Sequence, residues 1–177
     1  GSGPAPPCEA AILVHGLGGN FYQSRLLKHF ASALAGIGIN SLLANTRGHD
    51  YLNATPRMGK SATLGAAVEI IDECRHDLNG WADFLVRHGH QRILLVGHSL
   101  GAIKSLYAHA HSPHENVAAI CAFSATKLSY DSLLSSGGGE RFRYWLGMAQ
   151  QKTAAGKGDE LLFVDFPFPT WISANAY

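Results

Sequence analysis

A chain of 177 residues, 46% apolar and 15% charged, is long enough for one domain with a sizeable core and too apolar to remain disordered. Its formal net charge of +1, with no Lys/Arg cluster, argues against a nucleic-acid partner. No apolar run approaches the roughly 18 residues of a membrane-spanning helix, and no basic flank or processing site marks "AAILV" as a signal peptide, which favours a cytoplasmic location.

Residues 1–9, opening Gly-Ser-Gly, read as a tag or linker and an N-terminal arm. "AAILVHG" (10–16) is a first strand halted by a glycine. Leu26, Leu27, Phe30, Leu34 and Ile37 then recur at helical spacing before Gly38. "INSLLANTRGHD" (39–50) is a second strand running into a polar loop, and 51–68 reads as loop plus the start of a helix. That helix continues over 66–89, with Val68, Ile71, Leu78, Trp81 and Leu85 on one stripe.

"RILLVG" (92–97) is continuously apolar, as befits a strand buried on both faces. "LGAIKSLYAHAHS" is a helix stopped by Pro113, and "VAAICAFSA" (117–125) is a fourth strand. Cys121 lies inside that strand and is expected to be buried; with Cys8 and Cys74 it makes no CxxC and no paired framework. Four strands alternating with three helices give the rhythm of a parallel sheet covered on both faces, a three-layer αβα core over 10–126.

Beyond residue 126 the rhythm breaks. "SSGGGE" (135–140) reads as a mobile connection, "RFRYWLGMAQQK" as a short helix and "ELLFVDFPFP" as a strand or extended arm. "TWISANAY" ends the chain without a closing element. The segment 127–177 is expected to be a cap or lid. Its aromatic residues Phe142, Tyr144, Trp145, Phe166, Phe168 and Trp171 would favour an uncharged, partly apolar group below them, or else pack its own core.

"GHSLGA" (97–102) carries the chemistry. Gly97 and Gly101 keep Cβ atoms out of a cramped turn between a buried strand and a helix. Ser99 is thereby held at the C-terminal edge of the sheet, beside helix N–H groups free to meet an oxyanion. The alternative is a structural turn whose serine caps the helix.

With this elbow in place, the chain resembles the N-terminal part of the α/β-hydrolase-fold serine hydrolases, of esterase or lipase type. "LVHGLGG" (13–19) is similar to that family's oxyanion loop. "NTRGHD" (45–50) resembles its Arg-Gly-His-Gly loop, departing at Asp50, and "AFSA" (122–125) ends the strand after the elbow helix. The resemblance implies a mostly parallel sheet, apparently incomplete at its C-terminal end. The strands should run second, first, third, fourth across it, with the elbow strand central. It implies a catalytic Ser99, with the N–H groups of Leu17 and Leu100 as the oxyanion hole. His15, Gly16, Gly97, His98, Gly101 and His49 would shape the site.

The implied activity is hydrolysis of a small-molecule carboxylic ester through a Ser99 acyl-enzyme, with no cofactor and no metal. A serine needs a base and an acid to orient it. After Ser99 the histidines are His109, His111 and His114, on or just beyond the elbow helix and pointing away. Asp131 and Asp165 are weak acid candidates, and His49 with Asp50 is an alternative base pair on the right edge. The acid and histidine are therefore expected from a separate C-terminal portion of the same protein. The opposing expectation is a non-catalytic scaffold that keeps the fold and the pocket without turnover.

Overall fold

The computed structural model describes residues 8–57 and 59–177; the opening seven residues of the 1–9 arm lie outside the described part. Four parallel strands form the central sheet: β1 (Ala10–Val14), β2 (Asn40–Ala44), β5 (Ile93–His98) and β6 (Val117–Phe123), in the order β2-β1-β5-β6. This is the order that the resemblance implied. Ile12 and Leu13 in β1 are fully buried, one on each face, because the strand lies inside the sheet and helices cover both sides. Burial of each such side chain contributes about 1.5–3 kcal/mol.

One face packs under α2 (Cys74–Arg87) and α3 (Leu100–His111), where Leu78, Ala82 and Ala108 meet Ile12, Ile93 and Leu95. The other packs under α1 (Arg25–Ala35), capped by Ser24, whose side chain accepts from the Leu27 N–H; Leu27 and Phe30 cover Leu13 and Val96. The sequence-derived three-layer αβα class is thus the observed one.

Several expectations are corrected. Residues 51–68 do not lead directly into a helix. They contain an antiparallel ribbon of β3 (Asn53–Arg57) and β4 (Lys60–Leu64), pairing Thr55 with Ala62 and Pro56 with Ser61. In a two-stranded ribbon both strands are edges, so Pro56 removes no necessary ladder bond. The helix begins at Cys74 after a 3-10 turn over Ile71–Glu73, because the Ala66 and Ala67 N–H groups donate instead to the carbonyls of Asp50 and Tyr51. Cys121 is exposed, not buried, because β6 is an edge strand.

The C-terminal segment is more regular than its sequence suggests. "SSGGGE" makes a turn after α4 (Tyr130–Leu134) and enters α5 (Gly139–Ala154). "TWISANAY" does supply a closing strand, β8 (Thr170–Ser173), antiparallel to β7 (Leu161–Val164). Ala149 and Trp145 of α5 pack on Leu162, Val164 and Ile172 of this hairpin, giving the segment a small core of its own. The Ser173 N–H donates to the Ala67 carbonyl at 2.7 Å, and the Tyr51 hydroxyl bonds both Thr170 and Trp171. The segment is therefore stitched to the loop region that follows β2.

Candidate active site

Ser99 sits between β5 and α3 at φ 54°, ψ −121°, in the positive-φ region that a non-glycine residue rarely adopts. Its N–H donates to the Phe123 carbonyl at 3.1 Å, and its own carbonyl accepts from Ala102 N at 3.0 Å. The glycines on either side are required by close approach. A Cβ on Gly97 would fall under 3.0 Å from the Gly101 carbonyl and the Ala102 backbone. One on Gly101 would do the same to the backbone of Val14 and His15. The elbow thus interlocks with the end of β1.

The loop leaving β1 lies directly against the serine. A Cβ built on Gly16 would be 3.1 Å from Ser99 Cβ and 3.6 Å from its Oγ. Leu17 and Leu100 flank Ser99 in the wall of one cavity. The first N–H groups of a helix have no preceding helical carbonyl to bond. In α3 the Ala102 N–H is taken by the Ser99 carbonyl, which leaves Leu100 N–H as the candidate donor beside Ser99.

His15 is 2% exposed. Its Nε2 lies 3.3 Å from both the N–H and the Oγ1 of Thr46, and its Nδ1 lies 2.8 Å from the Gly16 carbonyl. A backbone N–H can only donate, so Nε2 is the acceptor and Nδ1 carries the proton. Burial, together with the Lys104 charge, pushes the His15 pKa down to about 4, so the ring is neutral at pH 7. His98 is half-buried and its ring stacks beside Phe123 with centroids 5.2 Å apart.

Asp50, the departure from the expected glycine, has φ 57°, a backbone state that suits the residue it replaces. Its carboxylate accepts from Asn20 Nδ2 at 2.6 Å and from the Tyr22 hydroxyl, and these two donors hold its pKa below the usual carboxylate range. Asp50 thereby ties the loop after β2 to the loop after β1. His49 bonds the Thr46 carbonyl through Nδ1 at 2.9 Å, with Nε2 3.8 Å from Asp50 Oδ2. It lines neither of the two cavities that Ser99 lines.

The other acid and base candidates lie elsewhere. Asp165 takes the Arg141 guanidinium at 2.5 Å and Trp145 Nε1 at 2.6 Å, and these two partners lower its pKa. Asp131 sits in the first turn of α4. His114 faces Asp83 at 3.2 Å, and His111 stacks on Tyr107 at the far end of α3. Among the described residues, no histidine is hydrogen-bonded to Ser99, and no His/Cys/Asp/Glu group could hold a metal ion.

Ser99 opens into a cavity of about 330 Å³ between the sheet edge and the C-terminal segment. Phe142, Phe168 and Trp171 help wall it, whereas Tyr144 is exposed and Trp145 packs in the segment's own core. Glu69 reaches the same wall and is paired with Lys104 at 2.6 Å; these two side chains are 2% and 0% exposed. Neither was singled out from the sequence. The available signal was one charge in each of two apolar stretches, "AAVEII" and "GAIKSLY".

A search of the curated proteins finds no match to this chain. A family model described as serine aminopeptidase, S33, matches residues 5–156, which span β1 through α5 and include the Ser99 elbow. With its parallel sheet and this match, the chain belongs to the serine aminopeptidase S33 family of α/β hydrolases.

Proposed function

We propose that this chain holds the nucleophile, oxyanion donors and acyl pocket of a serine hydrolase that cleaves carboxylic esters with apolar, uncharged groups. In this reading Ser99 Oγ attacks the ester carbonyl. The N–H groups of Leu17 and Leu100 receive the developing oxyanion, and the alcohol leaves with a proton from a histidine. Water then releases the acid from the acyl-serine. One observation carries the reading: a serine held at positive φ, at the mouth of a cavity of about 330 Å³ whose walls are mainly aliphatic and aromatic.

Ester is favoured over peptide by the charge in that wall. An aminopeptidase needs a carboxylate for the substrate's ammonium group, and the charge of Glu69 is already balanced by Lys104, 2.6 Å from its Oε2, although its Oε1 has no hydrogen-bond partner. The histidine and its orienting acid are taken to come from a further portion of the same protein.

A p-nitrophenyl ester series tests this. The intact protein is expected to cleave butyrate and longer acyl esters, to leave leucine p-nitroanilide untouched and to lose ester cleavage in Ser99→Ala. Cleavage of the anilide but not the esters would overturn the substrate class.

The second reading is a non-catalytic binding protein. It is favoured by the lack, among the described residues, of a histidine bonded to Ser99. Ester binding without turnover in the intact protein would establish it.

A further inference from the structure

Beneath the oxyanion loop runs a continuous chain of buried hydrogen bonds that the acyl chemistry above does not use. Lys104, on α3 below the elbow, is fully buried. Its Nζ donates to Glu69 Oε2 at 2.6 Å and to Thr46 Oγ1 at 3.2 Å. Because the ammonium only donates, Thr46 Oγ1 accepts from it and turns its own proton toward His15 Nε2, 3.3 Å away. The opposite ring nitrogen of His15 then donates to the Gly16 carbonyl at 2.8 Å, an oxygen that also accepts the Gly19 N–H at 3.0 Å.

The direction is set at each step, with His15 Nε2 shared between the hydroxyl and the backbone N–H of Thr46, both at 3.3 Å. The hydrogen-bond chain runs from an ion pair in the core, through a hydroxyl and an imidazole, to one peptide group. In a planar trans peptide the N–H points opposite to the C=O. Drawing the Gly16 carbonyl toward His15 and Gly19 therefore sends the Leu17 N–H the other way, and Leu17 shares both of its cavities with Ser99.

We propose that Thr46 and Lys104, the latter anchored by Glu69, are positioning residues for the oxyanion hole: their hydrogen-bond chain through His15 fixes the Gly16–Leu17 peptide with its N–H toward Ser99.

A purely structural ion pair does not need this arrangement. Burial of two charges costs several kcal/mol of desolvation and commonly adds no net stability over apolar residues of the same size. The loop after β2 is moulded to the pair as well. A Cβ on Gly48 would fall under 3.0 Å from both oxygens of the Glu69 carboxylate. The charged and titratable groups acting on His15 are Lys104, His49 and Asp50. Of these, Lys104 shares a hydrogen-bond partner with the ring, the Thr46 hydroxyl.

The kinetic half of this inference rests on the serine-hydrolase reading; the geometric half does not, so the test reads both. Thr46→Val keeps the shape and backbone of residue 46 and removes its hydroxyl, whereas Thr46→Ser keeps the hydroxyl. Lys104→Met combined with Glu69→Gln removes the charges together, so that no unpaired charge is left buried. Each protein is treated with a fluorophosphonate, and the His15 ring N–H is followed by ¹H–¹⁵N NMR.

In Thr46→Val and in the double variant, the maximal inactivation rate is expected to fall about tenfold or more with probe affinity nearly unchanged, because an oxyanion donor acts on the transition state. The His15 Nδ1–H resonance shifts and exchanges faster. Thr46→Ser restores both. An unchanged His15 resonance in Thr46→Val overturns the proposal, as does a rate loss that Thr46→Ser fails to recover. If the wild-type protein is not labelled at all, the serine-hydrolase reading fails instead, and the NMR comparison alone decides whether the chain holds the peptide.

Discussion

His15 is where a single side chain ties local chemistry to stability. Its folded pKa is about 4, whereas an unfolded histidine titrates near 6.5. A depressed histidine pKa means that the unfolded chain binds the proton first as pH falls. Stability is therefore lost progressively between about pH 6.5 and 4, and retained above that window. Linkage puts the loss between pH 7 and pH 5 at about 2 kcal/mol. Carboxylates with lowered pKa, such as Asp50 and Asp165, lose their contribution only as pH falls through still lower values. Urea unfolding at the two pH values should show the drop in wild-type protein and little of it in His15→Gln; equal pH dependence in both would contradict the assignment. At this scale the sequence was legible where a residue type is demanded by its turn. Ser99 between Gly97 and Gly101 is such a case. Lys104 and Glu69 were not legible, because a charge in an apolar run does not reveal which distant charge it will meet.

Elements were readable in proportion to how continuously apolar they are. "AAILV" and "RILLVG", short apolar runs that soon meet a glycine, read as strands, and they are β1 and β5 at the centre of the sheet. The ribbon of β3 and β4 escaped notice because its strands carry polar residues and Pro56, and its half-buried face, Asn53, Thr55, Ala62 and Leu64, is itself half polar. β8 is four residues long and follows a proline-rich stretch, so its pairing with β7 is tertiary information. Cys121 misled for a related reason: its place in an apolar run was read as burial, yet β6 lies at the edge of the sheet and Cys121 is exposed. The elbow itself behaves as one element, and its tolerance can be stated. Gly97→Ala places a methyl under 3.0 Å from the backbone of Gly101 and Ala102, which belong to a packed helix and cannot yield cheaply. Overpacking of this kind costs about 1–3 kcal/mol. The variant should unfold at lower urea and lose reactivity at Ser99. Unchanged values for both would show that the turn is looser than its contacts imply.

On the scale of the whole molecule, three loops and one extension converge on the same edge of a parallel sheet. The β1 loop brings Gly16 and Leu17, the β2 loop brings Thr46 and Asp50, and the β5–α3 elbow brings Ser99. The C-terminal segment closes the far wall with Phe142, Phe168 and Trp171. That convergence follows from the topology, since parallel strands place all their C-terminal ends together. The family match over residues 5–156 agrees with this architecture. What the described residues leave out of the constellation is a histidine hydrogen-bonded to Ser99. The proposed function therefore turns on Ser99 being an activated nucleophile in the intact protein. The direct measurement is intact-mass analysis after treatment with a fluorophosphonate, on wild-type protein and on Ser99→Ala. One phosphonyl adduct is expected on the wild type, mapped to the peptide containing Ser99, and none on the variant. An unlabelled wild type, or equal labelling of both proteins, would contradict the proposed function.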